Sequence, residues 1–177
     1  MGYLDSAAGL RRETGAGGIV TADLASNAVT TAKLDVSTIQ YAAVSLTNAE
    51  IKALRATPKT LVAAPGTGKV LEFVSATLFL DYGSNALTET TDNMAIRFEN
   101  GSGTIVSQAI ESGSFIDATA DTMTNALPKI DAAAAKTACE NKALVLHNTG
   151  DGEFGGNAGA DTTMRVKIAY RVHTTGW

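Results

Sequence analysis

The chain has 177 residues, of which 45% are hydrophobic and 6% aromatic, and its formal net charge is -4 at pH 7. A hydrophobic fraction of this size is enough for a buried core, which excludes disorder throughout the chain, and the length fits one domain plus a tail. The negative charge and the lack of a lysine- and arginine-rich stripe exclude a general affinity for nucleic acid, which depends on neutralised phosphates. All apolar runs are shorter than the ~18 residues that a membrane-spanning helix needs.

A single cysteine, Cys139, excludes an internal disulfide framework. The first residues, MGYLDSAAGLRRETG, lack the basic and apolar regions that a signal peptide combines. We therefore expect the protein to be synthesised in a reducing cytoplasm.

Residues 1–45 are rich in Gly, Ala, Ser and Thr and contain no apolar run long enough to form a core. Within them, residues 19–24 (IVTADL) and 28–34 (AVTTAKL) form an approximate repeat with a spacing of roughly ten residues. A unit this short cannot bury its own apolar side chains, so it needs a partner beside it. We predict an extended N-terminal arm over residues 1–45 that binds a partner or mediates oligomerisation. The alternative is a disordered tail whose similarity is due to chance.

Residues 46–177 carry the signals of a folded domain. Its first element is a predicted helix over residues 47–55, in which Thr47 or Asn48 can cap the free N–H groups. Glu50 follows three residues later, as in a capping box, and Pro58 marks the end of the element.

Six stretches of β-branched and aromatic residues are predicted to form strands, and several of them alternate between apolar and polar positions. In the last stretch Arg165 and Lys167 alternate with apolar residues, which predicts one buried and one solvated face. Asn100-Gly101 is a strong hairpin signal, because both residues tolerate positive φ. The six stretches are residues 59–64, 69–82, 93–99, 104–110, 142–148 and 164–173.

The Ala- and Thr-rich residues 117–141 are compatible with one or two short helices around residues 132–139, or with a long loop. Short strands separated by glycine-containing turns favour a sheet-on-sheet architecture over repeated strand–helix–strand units. We therefore predict a mainly β protein, with a β-sandwich or jelly-roll-like domain, one or two short helices and the extended N-terminal arm.

Residues 63–70 (AAPGTGKV) are similar to a nucleotide-binding P-loop. That motif needs a glycine where this chain has Ala63 and a hydroxyl where it has Val70. It also needs a helix after Lys69, to present free N–H groups to the phosphate, whereas the sequence there predicts a strand. We interpret the segment as a hairpin turn and predict no nucleotide or other cofactor.

His147 and His173 lie on predicted strands, and no signature such as GxSxG suggests a nucleophile beside them. We expect both to be ordinary surface or edge residues and Cys139 to be a small buried hydrophobic residue. No catalytic residue is predicted, and the protein is not expected to be an enzyme.

Acidic residues occur in two loops, but the spacing of a calcium-binding EF-hand loop is absent. We expect solvated acidic loops and no metal site. The residues concerned are Asp117, Asp121, Asp151, Glu153 and Asp161.

Residues 18–34, GIVTADLASNAVTTAKL, resemble the ITxADLA…AVTxAKL segments of phage tail fibres and other trimeric appendages. The body, from residues 54–66 (LRATPKTLVAAPG) to residues 170–177 (YRVHTTGW), is similar to small phage structural proteins found among head-decoration and tail-associated components. The resemblance implies a virion protein that forms a homo-oligomer, often a trimer, and docks on a larger scaffold.

The function that this resemblance favours is a capsid decoration or cement protein, bound to the major capsid protein on the outer surface of the head. The alternatives are a tail-fibre, collar or other tail-associated protein, or a carbohydrate-binding β module. Nucleic acid and membranes are not expected partners. The candidate partner contacts all lie in the arm: Leu4, Leu10, Arg11, Arg12, Ile19, Val20, Leu24, Val29 and Leu34.

Overall fold

The structure is a computed structural model that describes residues 38–89 and 93–176. Within these ranges the chain is mainly β, as predicted, with two short helices, α1 (Asn48–Lys52) and α2 (Lys136–Cys139). The strands are β1 (Gln40–Leu46), β2 (Lys59–Val62), β3 (Lys69–Asp81), β4 (Leu87–Thr88), β5 (Asn93–Phe98), β6 (Ile110–Glu111), β7 (Thr122–Ala126), β8 (Leu144–Asn148), β9 (Gly155–Gly156) and β10 (Thr163–Thr174). No helix in these ranges has the length and apolar character needed to cross a bilayer.

Eight of the strands form two four-stranded antiparallel sheets. Sheet I has the order β1-β10-β3-β7, and sheet II has the order β2-β8-β5-β6. The remaining pair, β4 with β9, is a separate two-residue ribbon. Neighbours along the chain mostly fall in opposite sheets, which is the arrangement of a jelly roll. The prediction of a sandwich or jelly-roll-like domain is confirmed.

The core lies between the two sheets and draws on both inner faces. Leu78 of β3 and Ile168 of β10 meet Ile96 of β5 and Leu146 of β8 in one apolar cluster, and all four side chains are fully buried. Along β10 the buried residues alternate with exposed ones, as the sequence predicts. One inner face therefore packs against the other, while outward residues of β10 such as Arg165 and Lys167 are exposed.

A β-bulge interrupts the pairing of β3 with β10. Ala169 is opposite Ser75, but the next residue, Tyr170, is opposite Phe73, so Val74 has no partner in the register. The extra residue shifts the buried face of β3 by one position. This explains why Phe73 and Ala76, three residues apart, are both buried.

Helix α1 begins as predicted but is shorter than expected. The Thr47 backbone N–H donates to Glu50 Oε2 at 2.9 Å and the Glu50 N–H donates to Thr47 Oγ1 at 3.4 Å, which completes the capping box. Lys59 of β2 also pairs with Glu50, and this hydrogen bond, together with that from Thr47, lowers the pKa of Glu50 to about 2. The helix ends after five residues at Lys52, well before Pro58.

Two strands lie where the sequence analysis places none. Strand β1 covers residues 40–46, most of which are assigned there to the arm, and it pairs along its whole length with β10. Strand β7 lies in the segment expected to be helical or a loop. Several of their inward residues are small or polar, such as Ala42, Thr124 and Ala126, so the alternation that marks a strand is weak.

The turn at residues 65–68 is not a hairpin, which corrects the sequence interpretation. Strand β2 pairs with β8 in sheet II, whereas β3 pairs with β10 and β7 in sheet I. The turn therefore carries the chain from one sheet to the other. The turn after β5 does fold the chain back, with the Phe98 N–H bonded to the Thr104 carbonyl at 3.0 Å.

The strand predicted over residues 104–110 is reduced to isolated bridges and the two residues of β6. The N–H groups of Val106 and Ser107 both donate to the Ile96 carbonyl, at 2.9 and 3.3 Å. In return, the Ile96 N–H donates to the Ser107 hydroxyl at 2.9 Å. A side chain thus takes the place of a backbone carbonyl, which prevents a regular ladder.

A buried polar network connects α1 to two loops and was not anticipated from the sequence. Asn157 Oδ1 accepts hydrogen bonds from Asn48 Nδ2 at 2.7 Å, from the Asp161 N–H at 3.0 Å and from the Thr162 N–H at 3.2 Å. Its Nδ2 donates to the Asn85 carbonyl and to Asp161 Oδ1. Asn48, Asn157 and Thr162 are all buried, so these bonds have little competition from water.

Replacing Asn157 by alanine is expected to lower the free energy of unfolding by about 2–4 kcal/mol, because buried groups such as the Asn48 amide lose this acceptor. Urea denaturation followed by circular dichroism measures the change. The control is Asn125→Ala, which removes an exposed asparagine of β7 and should change stability by less than about 0.5 kcal/mol. Equal losses in the two variants would contradict this role of Asn157.

Candidate interaction surface

The two glycines of the P-loop-like segment have backbone angles that favour glycine, with φ of +98° at Gly66 and +75° at Gly68. Their N–H groups are already bonded to side chains. Gly66 donates to Asn141 Oδ1 at 2.9 Å, and Gly68 donates to Glu140 Oε1 at 2.8 Å. Because a carboxylate occupies the place of a phosphate oxygen and a strand follows, the segment is a structural turn.

His147 is neither a surface nor an edge residue, so that expectation was wrong. It lies on β8, between β2 and β5 in sheet II, and is 6% exposed. Its Nδ1 is 3.2 Å from Arg97 Nη1, and because a guanidinium only donates, Nδ1 must accept and the ring proton sits on Nε2. Burial, and then the charge of Arg97, lowers the pKa of His147, so the ring is neutral near pH 7.

His173 is half-exposed, and its Nε2 is 2.8 Å from Glu72 Oε2. Arg171 approaches the same carboxylate at 3.2 Å. The hydrogen bond from His173, and then those from Arg171, lower the pKa of Glu72. These three side chains form an ion cluster on the outer surface of sheet I, where water screens it.

Cys139 lies on α2 and is half-buried against the apolar core, which is less burial than expected. Its thiol donates to the Ala135 carbonyl at 3.3 Å. It fills space at the edge of the core and stabilises the short helix that follows Ala135.

Four of the five acidic residues weighed as calcium ligands accept hydrogen bonds from backbone N–H groups. Glu153 accepts two, from Arg55 at 3.0 Å and Ala56 at 2.8 Å. Within residues 38–89 and 93–176 no three acidic, histidine or cysteine side chains are grouped to hold a metal ion. The other three bonds are from Ser84 to Asp161 at 2.9 Å, from Tyr82 to Asp121 at 2.9 Å and from Ser114 to Asp117 at 2.7 Å.

An open polar pocket of about 640 Å³ lies beside His147. Arg55 and Arg97 bring positive charge to it, and Asp151 and Glu153 bring negative charge. The Arg97 guanidinium already donates to the carbonyls of the turn after β5. Since the charges balance and the best donors are occupied, the pocket has no strong preference for a cation or an anion.

The exposed apolar side chains are the more informative feature. Ile130 is 95% exposed, and Leu127 and Met123 are each 54% exposed. Residues 127–135, LPKIDAAAA, are all exposed, and we call them the apolar segment. A contiguous exposed apolar stretch of this kind is typical of a surface that a partner covers.

The outer face of sheet I contains a shallow depression of about 460 Å³. Its floor consists of the small residues Ala43, Ser45 and Thr77, on β1 and β3. Phe79, Arg165 and Lys167 also line it. Arg165 lies over the Phe79 ring at 5.4 Å, and Lys167 lies over the Tyr41 ring at 5.3 Å. We call this feature the outer-face depression.

The contact residues predicted in the arm lie outside the described residues, so those predictions stand as predictions. The structure instead shows two surfaces that the sequence analysis did not identify, the apolar segment and the outer-face depression. The apolar segment lies in the Ala- and Thr-rich region, where Met123, Leu127 and Ile130 are four and three residues apart, the spacing of one helix face. That spacing is typical of a buried helical face, so it gave no indication that these side chains are exposed. The predicted arm contacts are Leu4, Leu10, Arg11, Arg12, Ile19, Val20, Leu24, Val29 and Leu34.

No protein-family model matches the sequence, and no curated protein matches it. Among solved structures, the chain is similar to the capsid of Ralstonia phage GP4, with 14% sequence identity and a TM-score of 0.36. The match covers 76% of this chain and 84% of that chain. A TM-score below 0.5 does not establish a common fold.

The burial of His147 predicts a pH dependence of stability. Its pKa is lowered in the folded protein, so below about pH 6.5 the unfolded chain takes up a proton that the folded protein does not. The free energy of unfolding should therefore fall as the pH drops below about 6.5. Denaturation at a series of pH values should show a shallower fall in His147→Asn than in the wild type. An unchanged slope in His147→Asn would contradict the assignment.

Proposed function

We propose that this protein is a non-enzymatic structural component of a bacteriophage particle, specifically a decoration or cement protein on the outer surface of the head. The observation that carries the proposal is the resemblance of residues 18–34 to the segments of trimeric phage appendages, immediately before a jelly-roll domain. Jelly rolls are common in viral capsid proteins, but they also occur in lectins and cupins. Since a fold alone does not define a function, the proposal relies on the sequence of the arm.

The proposed mechanism is an increase in buried area between capsomers that internal DNA pressure tends to separate. An arm without its own core gains order only when it binds, so part of its interaction energy is used to offset lost chain entropy. In return, the arm raises the effective concentration of the domain at its site. Arg11 and Arg12 are proposed to pair with acidic groups of the capsid. The apolar anchors are proposed to be Leu4, Leu10, Ile19, Val20, Leu24, Val29 and Leu34.

The use of the polar side chains in the domain supports a structural role. His147 is held between Arg97 and the backbone of Arg55, and Glu153 caps two N–H groups. Groups that would serve as acids, bases or ligands in an enzyme thus stabilise loops and strands here. The proposed partners are further copies of this chain, in a trimer, and the major capsid protein.

The second candidate is a tail-fibre, collar or other tail-associated protein, which the arm also favours because such segments recur in tail fibres. In that case the arm is the attachment shaft and the domain points outward. A carbohydrate-binding module is a weaker candidate, because such sites need clustered exposed aromatic side chains. Tyr41, at 62%, is the one large aromatic residue that is mostly exposed within residues 38–89 and 93–176.

A cryo-EM map of the assembled particle separates the first two candidates. Decoration predicts density for the jelly-roll domain at many equivalent lattice positions on the head. Density confined to the tail would refute decoration and favour the second candidate, and particles without such density would refute both.

Replacing the apolar residues of the arm's repeat by serine is expected to abolish binding to particles. The change comprises Ile19, Val20, Leu24, Val29 and Leu34, and it removes the proposed anchors while leaving residues 46–177 intact. Co-sedimentation of the purified protein with particles that lack it measures binding. A control with serine at Ala22, Ala28 and Ala32 alters the same region but keeps the anchors, and it should bind like the wild type. Full binding by the anchor variant would show that the arm is not the attachment site.

A further inference from the structure

We infer that the apolar segment of one copy of this protein docks into the outer-face depression of a second copy, in a head-to-tail contact between identical chains. The inference rests on the proposed oligomeric state, but not on the position of the oligomer on a particle. Two surfaces of opposite shape and complementary charge carry it.

The first surface is the protruding one. Ile130 is almost fully exposed, and Leu127 is half-exposed on the same segment. The four alanines at its C-terminal end are exposed as well. Short side chains beside a long aliphatic one let a partner's backbone approach closely, as they do at packed interfaces.

The apolar segment is held in place by backbone hydrogen bonds. The Gln108 N–H donates to the Leu127 carbonyl at 2.9 Å, and the Lys129 N–H donates to the Val106 carbonyl at 2.8 Å. A β-bridge also joins Ser107 and Pro128. Because the backbone around Ile130 is already ordered, little conformational entropy is lost when a partner covers it.

The second surface is the outer-face depression, which is concave and lightly charged. Its floor of Ala43, Ser45 and Thr77 leaves room above the sheet. The ring of Phe79 offers an apolar wall to an aliphatic side chain such as that of Ile130. Within residues 38–89 and 93–176, the outward side chains of β1 and β10 are exposed at this face, whereas the inward ones are buried or half-buried.

The charges of the two surfaces match. Arg165 is neutralised by Asp81, whose Oδ1 is 2.6 Å from its Nη2. Lys167, in contrast, contacts the Tyr41 ring and forms no ion pair within residues 38–89 and 93–176. On the apolar segment, the side chain of Asp131 is 83% exposed, with Lys129 no closer than 3.9 Å. Asp131 of one copy is therefore the carboxylate that suits Lys167 of the next.

The two surfaces lie on different sheets, which determines the symmetry of the contact. The apolar segment runs beside residues 105–108 at sheet II, and the depression is on sheet I. Each copy thus uses the segment with one neighbour and the depression with another. Such a heterologous contact closes into a ring, of which a trimer is the smallest, when the rotation per copy allows it.

The test is the oligomeric state of the full chain, measured by sedimentation equilibrium over a concentration series. The wild type should associate, and Ile130→Ser should raise the dissociation constant roughly a hundredfold. Asp131→Lys and Lys167→Asp should each raise it about tenfold, and the double variant should recover most of the loss. The control Ala64→Lys adds a lysine on the exposed turn after β2, at the edge of sheet II opposite to β6, and should associate like the wild type. Far-UV circular dichroism spectra that match the wild type show that each variant is folded.

Three results would overturn the inference: a wild type that stays monomeric, single variants that associate like the wild type, or a charge-swapped double variant no tighter than the single ones. The experiments distinguish failure of this contact from failure of the proposed function. A monomer that still binds phage particles would refute only this contact. An oligomer that responds to the charge swap but is missing from particles would refute only the proposed function.

Discussion

The antiparallel pairing of β3 with β10 is the interaction on which the rest of the structure depends. Every residue of β10 pairs with β3, and the two strands occupy the middle of sheet I. Most of sheet II, from β5 to β8, lies between them in the sequence. Residues far apart in the sequence must therefore meet before this pairing forms, and the pairing has to offset the chain entropy lost on closing the long loop between them. Such non-local pairing is typical of slow-folding β topologies.

The same pairing determines what each face of sheet I can do. Val166 and Ile168 point into the core, so Arg165 and Lys167 must point outward on the alternate positions. The bulge at Val74 resets the register of β3 without disturbing β10. The outer face then carries small residues between two cation–aromatic pairs. Its shape follows from the requirement that the opposite face fill the core.

Strong local signals in the sequence were sufficient for part of the fold. The alternation along β10 and the capping box of Thr47 and Glu50 are both present as predicted, because each depends on residues close in sequence. Strand β7 was not predictable, because Ala126 is its one buried residue and the strand is held by its partner β3. The burial of His147 depends likewise on strands β2 and β5 on either side, which no local pattern reveals.

The acidic and amide residues of the loops show why residue types that can bind metals or act in catalysis do not by themselves predict a functional site. In a jelly roll, loops carry the chain from one sheet to the other, and the backbone N–H groups of these loops have no hydrogen-bond partner on a neighbouring strand. Here Glu153, Asp161 and Asn157 accept from those groups. Such side chains are abundant in glycine-containing loops because the loops themselves need acceptors. Exposed apolar side chains such as Ile130 lie outside these hydrogen-bond networks, and their exposure is a cost to the isolated chain that a covering partner would remove.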